Sequence, residues 1–75
     1  MRSVQYAVIY AKTGTGYSAH VPDLPGCIAT GSTLAATQKR MREALAMHLR
    51  GMREDGTPIP RPTTLAEQVD VNDAA

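Results

Sequence analysis

Two clusters of glycine and proline, Gly14-Thr15-Gly16 and Pro22-Asp23-Leu24-Pro25-Gly26, break up the first third of the chain. The runs between them are too short for anything but strands and turns. Val4 to Ala11 is rich in β-branched and aromatic residues. Tyr6, Val8 and Tyr10 share one face of an extended chain, with Ala7, Ile9 and Ala11 on the other. Tyr17 to Val21 alternates again, with Tyr17, Ala19 and Val21 on one face and Ser18 and His20 on the other. Two such runs about a Gly-bearing loop predict a β-hairpin. Pro22 ends the second strand because proline has no N–H for the ladder. Pro25-Gly26 suits the centre of a type II turn, with Gly26 at positive φ. Cys27 to Gly31 is then a third strand, antiparallel to the second.

The periodicity changes after Ser32 and Thr33, either of which can cap a helix. Leu34, Met41, Ala44, Leu45, His48, Leu49 and Met52 recur at helical spacing. Lys39, Arg40, Arg42, Arg50 and Arg53 give the helix a basic surface. Gly56 offers a C-terminal stop. Beyond it, Thr57-Pro58-Ile59-Pro60-Arg61-Pro62 is extended, with Ile59 as the expected anchor. Thr63 or Thr64 is placed to cap one helical turn, Leu65 to Gln68. Val69 and Val71 alternate and allow a short fourth strand.

The expected class is therefore α+β: a three-stranded antiparallel sheet with one helix packed on it, in the order β-β-β-α. Residues 1–56 form the domain, and 57–75 form a Pro-rich segment with an acidic tail. Thirteen of 75 residues are Leu, Ile or Val, and none is Phe. A core this thin calls for help, which a disulfide, a metal or a second copy supplies in small domains. Cys27 is the sole cysteine, so no internal disulfide exists. A lone thiol, no visible signal peptide and no apolar run of spanning length predict a cytoplasmic protein. Both faces of the first strand are apolar, so Tyr6, Val8, Tyr10 and Ile9 are expected to support a homodimer or homotetramer.

The motifs of catalysis are thin. Gly14 to Ala19 matches a dinucleotide-binding pattern in letters, but a strand follows where the phosphate site needs a helix. His20, Asp23, Cys27 and His48 lack metal-ligand spacing. Two-metal nuclease chemistry needs several carboxylates around one point, and the strands offer only Asp23. The expectation is no enzyme, no cofactor and no metal. The net charge is +1, and no aromatic accompanies the basic helix face, so DNA binding by this chain alone is not expected.

Taken together, Tyr17-Ser18-Ala19-His20-Val21-Pro22-Asp23-Leu24-Pro25-Gly26-Cys27, Gly31-Ser32-Thr33-Leu34, Arg42-Glu43-Ala44-Leu45, His48-Leu49 and Gly56-Thr57-Pro58-Ile59-Pro60-Arg61-Pro62 resemble the N-terminal domain of HicB-type antitoxins. The likeness covers about residues 4 to 65. It implies a partial RNase H-like fold without catalysis. It also implies a partner, a small HicA-type toxin that cleaves mRNA, inhibited when the antitoxin covers the toxin's catalytic histidine. Many members carry a further C-terminal DNA-binding domain, and this chain stops near where that domain would begin. Ser32 stands where the family often has an acid, and Ala35-Ala36-Thr37 where Glu-Ala is common.

The expected toxin contacts are Tyr17, the turn residues Asp23, Leu24 and Pro25, and the tail acids Glu67, Asp70 and Asp73. The other reading is a free-standing oligomeric module with no toxin.

Overall fold

The computed structural model describes residues 3–73. Three strands, β1 (Ile9–Lys12), β2 (Tyr17–His20) and β3 (Ile28–Gly31), are followed by one helix, α1 (Leu34–Glu54). The sheet is antiparallel in the order β1-β2-β3. The α+β architecture and element order are those expected from the residue pattern.

Strand pairing is shorter than the pattern suggested. β1 begins at Ile9 and not at Val4. The register pairs Ile9 with His20. Continued by two steps, it would set Ala7 against Pro22, which has no N–H to give. The ladder therefore stops, and residues 4–8 run on without a strand partner. The loop at Lys12 to Tyr17 is closed by the Thr13 N–H on the Gly16 carbonyl, at 2.8 Å. The Thr13 hydroxyl oxygen accepts from the N–H of Gly16 at 3.0 Å. Gly16 is required by packing: a Cβ there would collide with the Gly31 carbonyl oxygen.

Register also sorts the faces. Tyr10, Ala19 and Ala29 are neighbours across the sheet on the side that meets α1. Ile9, His20 and Ile28 are neighbours on the opposite side, which among the described residues has no second layer. Ile28 is accordingly 66% exposed.

The helix starts where its cap dictates. Thr33 is extended, and its hydroxyl accepts from the Ala36 N–H at 3.1 Å. Gly56, at φ 69°, and its neighbour Thr57 cap the far end by donating to the carbonyls of Arg53 and Met52. Thr37 is fully buried under β3, and its hydroxyl donates to the Thr33 carbonyl at 2.7 Å. That bond makes a polar group tolerable in the core. Close approach at this point needs Gly31, because a Cβ there would lie 2.6 Å from the Thr37 hydroxyl.

Ala19, Val21, Leu24, Cys27 and Met41 form the buried cluster. Tyr6, Val8, Tyr10, Leu45, Leu49 and Met52 close around it, partly buried. Three of the four residues expected to self-associate, Tyr6, Val8 and Tyr10, thus face their own core; of the four only Ile9 lies on the open face. The tail, 57–73, has neither the helical turn at 65–68 nor the strand at 69–71 allowed by its sequence. It holds no regular secondary structure. The radius of gyration is 14.7 Å, against about 11 Å for a compact chain of this length.

Candidate functional site

The turn after β2 is built on three backbone bonds. Leu24 donates to Val21, Cys27 to Leu24, and Val21 to Cys27, at 3.0 to 3.1 Å. Gly26 has φ 87°, the left-handed value its position in the turn demands. The turn was expected to be an exposed partner surface, and here the structure differs. Leu24 is 1% exposed and belongs to the core. Pro25 and Gly26 are exposed at the tip.

Asp23 is committed to the tail. One carboxylate oxygen accepts the N–H groups of Thr63 and Thr64, each at 3.0 Å. The other accepts their two hydroxyls, at 3.0 and 2.8 Å. Four donors favour the charged form. The backbone N–H and hydroxyl of Thr64, followed by the N–H of Thr63, lower the Asp23 pKa from 3.8 to about 2. The threonines therefore do not cap a helix as their sequence allowed. Their donors all converge on one carboxylate.

A second tie lies nearby. The Tyr6 hydroxyl donates to the Pro60 carbonyl at 2.6 Å. Ile59, Pro62 and Thr64 are half-buried. These contacts turn the tail so that residues 64–68 pass beside residues 5–10, with two adjoining cavities of about 300 and 380 Å³ between the segments. One is lined by Gln5, Tyr6, Ala7 and Thr64 to Ala66, the other by Val8, Ile9, Tyr10 and Ala66 to Gln68. Glu67 therefore borders this groove. Asp70 and Asp73 lie exposed beyond it, as do Leu65, Val69 and Val71.

Tyr17 is elsewhere. It lines an open polar cavity of about 360 Å³ with Thr13, Thr15, Thr30, Ser32 and Arg40. Arg40 donates to the Thr30 carbonyl at 2.9 Å, which holds its guanidinium at the cavity wall. The expected contact residues thus fall into separate regions: Tyr17 by the hairpin loop, Pro25 at the turn tip, and the acids along the tail.

Among the described residues no three of His, Cys, Asp and Glu gather as a metal group. Cys27 is buried, and burial pushes its thiol pKa upward, away from the reactive thiolate. Among the described residues, no helix is long and apolar enough to cross a membrane.

Residues 6–75 match the family model described as HicB_like antitoxin of bacterial toxin-antitoxin system. The chain belongs to the HicB-like antitoxin family. Its backbone also superposes on one chain of a solved HicA3 and HicB3 toxin-antitoxin complex, with a TM-score of 0.68 and 34% identity. That match covers 79% of this chain and 69% of the other. A further relative is an uncharacterized 14.9 kDa protein from the rep-hol intergenic region of Haemophilus phage HP1 (strain HP1c1), 33% identical over 64 residues. The alignment takes in 85% of this chain and 48% of the phage protein, so the HicB-like chain spans about half the length of that relative.

The roles of Tyr6, Thr63 and Thr64 were not read from the sequence. A pair of adjacent threonines after a proline run offers four donors at once, and Asp23 was the only acid in the strand region. That combination was the available signal.

Proposed function

We propose that this HicB-like chain is a stoichiometric inhibitor that binds a small HicA-type toxin and occludes its mRNA-cleaving site. The observation that carries the reading is the joint match in sequence and backbone to a chain from a HicA3 and HicB3 complex. The chemistry is consistent with it. An enzyme that binds RNA presents cationic groups to phosphate. The tail of this chain, from Pro62 to Asp73, has three acids and no base. Complementary charge of that kind speeds encounter and fixes register. Pro25 and Tyr17 are proposed as further contacts. The chain itself acts without catalysis, without a cofactor and without direct binding to DNA, in the cytoplasm.

Self-association is part of the proposal. The open sheet face with Ile9 and Ile28 favours pairing with a second copy, as a dimer or tetramer. Light scattering at micromolar concentration tests this; a monomer mass contradicts it.

The inhibitor reading is tested by co-expression with a HicA-type toxin. Rescue of growth and co-purification in a fixed ratio are expected. Unrelieved toxicity with no complex contradicts the reading.

A further inference from the structure

The groove between residues 5–10 and the tail has an unusual wall. In the hairpin, Thr13 and Gly16 form a hydrogen-bonded pair. Antiparallel pairs alternate between bonded and non-bonded. Ala11 with Ser18 and Ile9 with His20 are then the bonded pairs, and Tyr10 with Ala19 is not. The backbone N–H and C=O of Tyr10 consequently point away from β2, towards the outer edge. The second sheet pairing agrees: the Val21 to Cys27 bond makes Ala19 with Ala29 a bonded pair, so Ala19 uses its backbone on β3.

The tail passes this edge without joining it. Among the described residues, no backbone hydrogen bond links residues 64–68 to β1. Asp23 and Tyr6 fix where the tail crosses, so the gap is held from one end. The outer wall carries Glu67, with Asp70 and Asp73 following.

We propose that this groove receives an extended, basic segment of the toxin, which pairs with the β1 edge through Tyr10 and is flanked by the tail acids. The inference rests on the inhibitor reading above and names the surface by which it acts. An unpaired edge supplies main-chain bonds to an added strand. The acids select a cationic strand over a neutral one. The Asp23 latch pre-orders the tail, which lowers the entropy lost on binding.

The test uses the full chain and a HicA-type toxin. Amide hydrogen exchange is followed by NMR in the free protein and in the purified complex, and affinity is measured for wild type and for Glu67→Lys/Asp70→Lys. Both substituted positions are exposed, so folding is expected to be unchanged. The expected result is slowed exchange at the Tyr10 amide in the complex alone, and a loss of at least tenfold in affinity in the variant, larger at low salt. A complex that forms with Tyr10 exchanging as in the free protein overturns the groove and leaves the inhibitor reading standing. Protection of Tyr10 in the free protein that rises with its concentration assigns the groove to a second copy and also overturns it. If no complex forms, the inhibitor reading fails and takes the groove with it.

Discussion

A carboxylate that accepts four hydrogen bonds from two adjacent threonines holds all four at full strength only while it is ionised. Asp23 therefore couples tail position to pH. Its pKa is lower in the folded chain, about 2, than its ordinary 3.8. The stabilisation is complete above the ordinary value and is lost as pH falls towards about 2. Slow exchange of the Thr63 and Thr64 amides is expected at pH 5 and expected to disappear between pH 4 and pH 2. In Asp23→Asn the same amides should exchange rapidly at neutral pH, because a neutral amide oxygen is a weaker acceptor than a carboxylate. Circular dichroism should change little, since the tail holds no regular element. Unchanged protection in the variant would show that Ile59 and Tyr6 alone hold the tail. Close packing sets another limit at this scale. Gly31→Ala puts a methyl 2.6 Å from the Thr37 hydroxyl and 2.9 Å from the Thr37 backbone nitrogen. Neither group can yield easily, so a loss of about 1–3 kcal/mol is expected in urea denaturation.

The elements show what was legible in advance. β2 was readable because Tyr17, Ala19 and Val21 alternate and Pro22 stops the run. The same proline shortened β1, by removing the partner of Ala7, and that effect crosses two strands. Local alternation does not carry it. The helix start was readable at Thr33, whose hydroxyl accepts as an N-cap should. Thr33→Ala is expected to cost about 1 kcal/mol, measured as a fall in the urea midpoint at unchanged m-value. That the Pro-rich segment is not helical was legible from its prolines, yet its attachment was not. Asp23 and Thr64 stand 41 residues apart, and bonds between a side chain and a distant backbone leave no periodic trace. The burial of Leu24 escaped for the same reason: it looks exposed in a Pro-Gly turn, but the turn folds back and buries it.

At the scale of the whole molecule, the thin core leaves little margin. Among the described residues, five side chains make up the buried apolar cluster, and Met41 is the apolar one the helix contributes. Met41→Ala is expected to cost about 2–5 kcal/mol. A domain of this length has roughly 4–11 kcal/mol in total, so the variant should be partly unfolded at 37 °C, seen as lost near-ultraviolet circular dichroism. Loss of the proposed inhibition in such a variant would reflect unfolding alone. The surface variants are the informative ones, since they keep the core and change only what a partner meets.

The central claim is that this HicB-like chain inhibits by direct binding. Isothermal titration of the purified chain into a HicA-type toxin measures that directly, with RNA cleavage followed in parallel. Saturable binding is expected, with cleavage falling to background at the same stoichiometric point. Undiminished cleavage at a molar excess of folded chain, with no heat of binding, would contradict the account.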